Sequence, residues 1–337
     1  MYEAYYQLRD KPFQLNPDPR FFYASRGHKR AFSYLEYGLS LGEGFIIITG
    51  DVGAGKTMLV KSLLKKLERG EYIVANLVST QLEADDMLRS VAAAFGLNFE
   101  NVSKAALLQN LQNTLRESSR QRKRALLIVD EAQNLSARAL EELRMLSNFQ
   151  DGGTSLLQSF LLGQPEFRDT LQSPQLQQLR QRVIASYHLG PMEQDETKNY
   201  IVHRLRTVGW QNMPSISEEA FAAIFRFSGG VPRRINTLCD RLLLFGFLEE
   251  RTHFDAAEVN EVIQDLKQEV HHQELPPGSV VAEPGMHHAP GAVTQVAHAY
   301  PLEMQEKLDQ IERSITRLLP MVRKILYSVS EGREGES

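Results

Sequence analysis

Short apolar runs punctuate the first part of the chain, and polar stretches with a different spacing separate them. The runs FIIIT (45–49), YIVANLV (72–78), ALLIV (125–129), LLQSFLL (156–162) and IASYHL (184–189) predict strands. Between them, helical spacing covers 56–68, 84–95, 103–119, 136–148 and 174–182. Strands that are apolar almost throughout, alternating with helices, predict an α/β core over 45–190 built on a parallel sheet covered on both faces.

The pattern changes on both sides of that core. Residues 1–44 are rich in aromatics, and Pro12, Pro17 and Pro19 predict an extended lead-in. Ala31, Tyr34, Leu35, Gly38 and Leu39 then predict a helix leading into the first strand. After Pro191 the strands stop, and 193–209, 217–227, 232–249 and 255–268 predict an all-helical region over 191–268. Residues 269–301 hold five histidines and five prolines with little periodicity, the composition of a flexible linker. In 302–329, Leu308, Ile311, Ile315, Leu318, Val322 and Ile325 step at heptad spacing, a stripe that needs another copy, a partner or the chain's own body to cover it.

Composition narrows the class without deciding it. The apolar fraction of 42% and charged fraction of 24% suit a globular protein, and a net charge of −4 gives no general attraction to nucleic acid. The single cysteine, Cys239, excludes an internal disulfide and sits in a helical apolar pattern as a buried small hydrophobe. No apolar run approaches the ~20 residues that span a bilayer, which predicts a cytoplasmic protein reaching the inner membrane only through a partner. The pairs His271-His272 and His287-His288 lack the further ligands that would define a metal site.

The chemistry is concentrated at the ends of two strands. After FIIIT comes GDVGAGKT, with Gly50, Asp51, Val52, Gly53, Ala54, Gly55, Lys56, Thr57 and then Met58 entering a helix. A glycine loop between a strand and a helix turns successive N–H groups toward an anion, aided by the positive end of the helix. Lys56 is expected to meet the β- and γ-phosphates of ATP, and the Thr57 hydroxyl to ligate Mg²⁺. ALLIVDEAQNL ends a second strand on Asp130, expected to hold the Mg²⁺, and Glu131, expected to polarise the attacking water. The strand at 72–78 separates the two motif strands in sequence, which resembles the additional-strand branch of P-loop ATPases.

With the helical region behind the core, the chain resembles an AAA+ ATPase. That resemblance implies a polar sensor at the tip of the fourth core strand, matched by Gln164 in LLGQPEF. It implies an arginine acting on a neighbouring subunit's nucleotide, matched by Arg182 with Arg180 as the alternative, and therefore a homo-oligomer. It also implies a second sensor in the lid, matched by Arg233 of GGVPRRIN, with Arg234 adjacent. The opening MYEAYYQLRDKPFQLNPDPRFFYAS, HKRAFSYLEYGL and these motifs together are similar to the general secretion pathway protein A family over 1–266. Within it, they most resemble secretion ATPases encoded beside exosortase (PEP-CTERM) and exopolysaccharide genes. The resemblance implies a secretion or polysaccharide-export partner, and adenine contacts from Pro19, Phe21 and His28. The membrane span and peptidoglycan-binding part of the secretion-pathway protein have no counterpart in the tail. A second resemblance, to DNA-transposition ATPases, would need a phosphate-binding patch, for which Arg116, Arg120, Arg122, Lys123 and Arg124 are the candidates.

Overall fold

The computed structural model describes residues 1–66, 70–78 and 83–273. The expected linker beyond 273, with His287-His288, and the expected helix at 302–329 lie outside the described residues. The chain opens with α1 (Tyr2–Tyr5) and α2 (Arg26–Leu41), followed by β1 (Phe45–Gly50), α3 (Lys56–Lys66) and β2 (Tyr72–Val78). Next come α4 (Ala84–Ala94), α5 (Lys104–Arg120), β3 (Arg124–Asp130), α6 (Ala137–Leu146) and the small strands β4 (Gln150–Asp151) and β5 (Thr154–Ser155). The core ends with β6 (Leu157–Gly163), α7 (Glu166–Gln172), α8 (Gln177–Arg180) and β7 (Val183–Leu189). Beyond it lie α9 (Gln194–Thr207), β8 (Ser215–Ile216), α10 (Glu218–Ser228), α11 (Pro232–Leu248), β9 (His253–Phe254) and α12 (Ala256–Gln273).

The five long strands form one sheet in the order β2-β3-β6-β1-β7, and every pairing is parallel. Alternate residues of each strand serve opposite faces, which is why the strands are apolar almost throughout. Phe45, Ile47, Leu127, Val129 and Leu161 pack with Leu88 of α4, Leu111 of α5 and Leu143 of α6. Ile46, Ile48, Ile128, Phe160 and Leu162 pack on the other face with Leu35 of α2 and Leu59 and Leu63 of α3.

The expected α/β architecture is present; the sheet order adds to it, and three local expectations are corrected. The strand lying between β1 and β3 is β6, whereas 72–78, which separates them in sequence, forms the outer strand β2. The helix expected at 174–182 is shortened: Pro174 opens a 3₁₀ turn that ends at Leu176, whose φ of −102° and ψ of 17° leave the helical region, and α8 spans only Gln177–Arg180. Strands do not end at Pro191: β8 and β9 pair in parallel within the helical region. α12 runs on to Gln273, so 269–273 belong to a helix and not to the linker.

The N-terminal segment is not a simple extended lead-in. It contains α1 and a 3₁₀ turn at Pro19–Phe21, and its aromatics enter the core of the helical region. Tyr2, Tyr6, Phe13 and Phe21 are buried with Ile201, Leu205, Leu238 and Leu242. Tyr6 Oη donates to the Arg251 carbonyl at 2.9 Å, giving the buried ring's polar end a partner. The segment from Leu8 to Tyr23 thus runs as a strap over the helical layer before α2 turns back to the sheet.

Candidate functional site

The glycine loop caps the C-terminal end of β1 and feeds directly into α3. Gly53 and Gly55 have φ of +81° and +99°, values that L side chains rarely adopt, so this curl of backbone needs glycine at both places. Lys56 is only 6% exposed, and its Nζ donates to the carbonyls of Gly50 at 2.6 Å and Asp51 at 3.0 Å. Among the described residues no carboxylate oxygen lies within 4.0 Å of it. Burial pushes the Lys56 pKa down, against the more distant pull of Glu131 and Asp130. A buried cation balanced only by carbonyls, under a cradle of backbone, fits a polyphosphate.

The acidic residues stand at the neighbouring strand tip. Thr57 Oγ1 donates to Asp130 Oδ2 at 2.7 Å, bringing two hard oxygen donors together at the mouth of the loop. That donor set fits Mg²⁺, which prefers carboxylate, hydroxyl and water oxygens. Glu131 follows with φ 54° and ψ 40°, and its N–H donates to Asp130 Oδ1 at 3.0 Å. Glu131 Oε2 accepts from Gln133 Nε2 at 2.6 Å and from Gln164 Nε2 at 3.3 Å. Burial raises the Glu131 pKa, but the Gln133 and Gln164 amides and the Lys56 charge outweigh it and hold the carboxyl below its ordinary value. Gln164 therefore meets Glu131 as well as standing at the tip of β6. Gln133 has no place in the sequence-based site, although its position two residues after Glu131, in the turn leaving the strand, is the signal that points to it.

A cavity of about 420 Å³ opens beside the loop. One wall carries Val52, Gly53, Gly55, Lys56, Thr57, Met58 and Glu131, and the other carries the strap and the helical region. Of the three residues expected near an adenine, Phe21 and His28 line it, whereas Pro19 opens the 3₁₀ turn and is not on the wall. Strap residues 14–17 and Tyr200, Arg204 and Asn236 complete that wall. Sequence reading missed them because their apolar and polar spacing is that of ordinary helix and loop.

His28 braces the loop from behind. The Ser25 hydroxyl accepts from the His28 N–H at 3.3 Å and lies 2.7 Å from Nδ1, within hydrogen-bond distance. The ring also hydrogen-bonds the Ala54 backbone. A Cβ on Gly55 would lie 2.8 Å from His28 Nε2, a second reason for glycine there. Burial pushes the His28 pKa down to about 4, so the ring is neutral at physiological pH.

The arginines separate into different roles. Arg233, in the first turn of α11, lines the cavity, and its N–H donates to the Gly53 carbonyl at 3.2 Å. Arg182 and Arg180 do not line it. Arg180 is fastened to the Leu171 and Ser173 carbonyls, and Arg182 donates to the Ser147 carbonyl and the Asn148 side chain. In the basic run, Arg116 pairs with Asp151, Arg120 with Glu117, and Arg124 donates to the Leu39 carbonyl at 2.7 Å. Cys239 is buried, and burial pushes its thiol pKa up. Among the described residues, no cluster of three or more His, Cys, Asp or Glu is arranged to hold a metal, and no helix is long and apolar enough to cross a membrane.

Comparison with known proteins places this geometry. The family described as "AAA domain" matches residues 40–171, which run from the end of α2 through α7 and include the loop, Asp130, Glu131 and Gln164. The chain is 37% identical over 248 residues to General secretion pathway protein A of Aeromonas hydrophila. That match covers 73% of this chain and 45% of the relative, so the chain spans less than half of the relative's length. Among solved structures, Drosophila ORC bound to DNA is similar with a TM-score of 0.60 at 15% identity, over 79% of this chain and 67% of that one. Cdc6p from Pyrobaculum aerophilum gives 0.58 at 17% identity, over 79% and 74%. These structures share the fold: a P-loop ATPase sheet of the AAA type followed by helices.

Proposed function

We propose that this AAA-type ATPase hydrolyses ATP with Mg²⁺ to assemble or energise a secretion apparatus at the inner membrane. The observation that carries the chemistry is the convergence on one cavity of the buried Lys56, Thr57 and Glu131, with Asp130 hydrogen-bonded to Thr57. Lys56 and the loop N–H groups bind and orient the phosphates, where fixed positive charge lowers the barrier to phosphoryl transfer. Thr57 and Asp130 would hold Mg²⁺, which supplies charge neutralisation at the phosphate oxygens. Glu131 is ionised and anchored through one oxygen, the state a group needs to orient water and take its proton. Gln164 and Arg233 report the occupied site to β6 and to the helical lid. Arg182 serves the site of an adjacent copy, which makes turnover depend on oligomer formation.

The secretion role is supported by the identity to General secretion pathway protein A and by the motifs shared with it. The finer assignment, to an exosortase (PEP-CTERM) and exopolysaccharide export system, rests on the resemblance of those motifs. On that reading the protein is cytoplasmic and is held at the membrane by a partner. A DNA-dependent role in transposition is disfavoured, because Arg116, Arg120 and Arg124 are engaged within the chain.

Hydrolysis per subunit, measured against protein concentration with and without duplex DNA, separates these readings. The proposed role predicts a steep rise with concentration and no response to DNA. Salt-sensitive stimulation by DNA would replace it with the transposition reading. Glu131→Gln should bind ATP and stall hydrolysis, and normal turnover in that variant refutes the role given to Glu131.

A further inference from the structure

Two glutamines and one carboxylate form a connected unit across the tips of β3 and β6. Gln133 Nε2 donates to Glu131 Oε2 at 2.6 Å, and Gln133 Oε1 accepts from the Gln164 backbone N–H at 2.9 Å. Gln164 Nε2 reaches the same Glu131 oxygen at 3.3 Å. Both amides thus fall on Oε2, and among the described residues no hydrogen bond reaches Oε1. Glu131 faces the cavity that Lys56 and Thr57 also line.

The backbone explains why such a tether is needed. Glu131 occupies the left-handed region, which costs a non-glycine residue about 1–3 kcal/mol unless its surroundings enforce it. The bonds from Glu131 N–H to Asp130 Oδ1 and from Asn134 N–H to the Glu131 carbonyl, each 3.0 Å, fix the main chain. They leave the side-chain torsions free, and a long carboxylate side chain loses its aim without partners of its own. Gln133 supplies the shorter of the two amide bonds, and its other end accepts from the Gln164 backbone, so it ties Glu131 to the tip of β6 alongside the longer contact from the Gln164 side chain.

We propose that Gln133 is a positioning residue. Its amide fastens one oxygen of Glu131 so that the other faces the water, and it couples that pose to the backbone at Gln164. A shift of the β6 tip on nucleotide binding is thereby passed to the carboxylate through the Gln133 side chain as well as through the Gln164 amide. Gln133 touches neither nucleotide nor water in this role; it acts through Glu131. The inference rests on the reading of Glu131 given above.

The test compares Gln133→Ala, Gln133→Asn and Glu131→Gln, singly and in the double variants with Glu131→Gln, all in the full chain. Three quantities are read: kcat, the dissociation constant of a fluorescent, slowly hydrolysed ATP analogue, and Tm. Misaiming a catalytic group reduces turnover about 10- to 100-fold. Gln133→Ala should lose that much kcat while analogue affinity stays within about twofold, since the phosphate cradle is untouched. In the Glu131→Gln background the same substitution should add no further loss. Asn, one methylene shorter, should resemble Ala and not wild type.

Wild-type or raised kcat in Gln133→Ala, with Glu131→Gln inactive, overturns the inference and leaves the reading of Glu131 standing. Equal losses of affinity, Tm and kcat overturn it too, because they mark a residue that only holds the turn together. Normal turnover in Glu131→Gln fails the underlying reading itself.

Discussion

Thr57 Oγ1 and Asp130 Oδ2 lie 2.7 Å apart although 73 residues of chain separate them. β6 stands between their parent strands, so the contact spans two strand spacings and depends on the tips of three strands being level. Thr57→Val keeps the shape and removes the oxygen, whereas Thr57→Ser keeps the oxygen. Loss of one metal-site oxygen should raise the Mg²⁺ concentration for half-maximal hydrolysis about 10- to 100-fold in the Val variant, with Ser near wild type. A Val variant with an unchanged Mg²⁺ requirement would detach Thr57 from the metal.

Lys56 carries a function that opposes stability. Its ammonium is buried with carbonyl partners alone, and burial lowers its pKa. The unfolded chain therefore holds this proton to higher pH than the folded one, and stability from this group rises as pH climbs between the two values. Near neutral pH the charge disfavours the fold. Nucleotide-free Lys56→Met should melt no lower than wild type and up to several degrees higher. Saturating ATP should raise the Tm of the wild type and leave the variant unmoved. A variant that melts well below wild type without nucleotide would make Lys56 a structural anchor instead.

What could be read from the residues follows from how local the information is. GDVGAGKT and DEAQ each lie within one strand–turn–helix unit, so spacing alone located the loop, Asp130 and Glu131. Strand neighbours are not local: the apolar run at 157–163 shows that a strand exists, and only the folded sheet shows that it separates β1 from β3. The helix expected over 174–182 is shorter in the fold, because Leu176 and Leu179 keep helical spacing while the chain first makes a 3₁₀ turn at 174–176 and Leu176, at φ −102° and ψ 17°, leaves the helical region. Arg204 was invisible for a different reason. In sequence it is one more basic residue in α9, and in the fold it is 4% exposed on the cavity wall.

His28 should write a pH dependence into stability. Its folded pKa, about 4, lies below the ordinary value of 6.5, so the unfolded chain binds the proton first as pH falls. Stability is whole above about pH 6.5 and drains away toward pH 4, by up to about 3 kcal/mol for a shift of this size. Urea midpoints at pH 7.5 and 5 should differ in wild type. His28→Gln, which retains a donor for the Ala54 backbone, should show a smaller difference. An equal loss in both proteins would assign the acid sensitivity to other groups.

Gly53 is where α11 meets the loop. A Cβ there would fall 2.3 Å from Arg233 Cβ, and the φ of +81° already disfavours any side chain. Gly53→Ala should therefore push α11 off the loop as well as strain it, costing about 1–3 kcal/mol. Weaker ATP binding accompanied by faster proteolysis in the Gly229–Val231 turn is expected. Unchanged binding would show that α11 need not touch the loop.

Arg204 joins the strap to the helical region, and its loss should separate affinity from chemistry. Its Nε donates to the Pro12 carbonyl at 2.5 Å, Nη1 to Tyr200 Oη at 2.7 Å and Nη2 to the Gln14 carbonyl at 3.2 Å. The guanidinium also lies 4.7 Å from the centre of the Phe21 ring. Arg204→Met keeps the length of the side chain but leaves buried carbonyls without donors, at about 1–3 kcal/mol for each group left unpaired. Lysine restores the charge but not the planar fork that reaches three acceptors, so Arg204→Lys should not rescue. The strap residues 14–17 form one side of the cavity, while Lys56 and Thr57 open α3 behind β1 and Asp130 and Glu131 stand at the tip of β3. Loosening the strap should raise the ATP KM about tenfold with kcat within about twofold, together with a lower Tm. If Tm falls and KM does not, the strap is a structural cover whose position the nucleotide does not sense; if kcat falls with KM unchanged, the helical region acts on the chemistry and not on the fit.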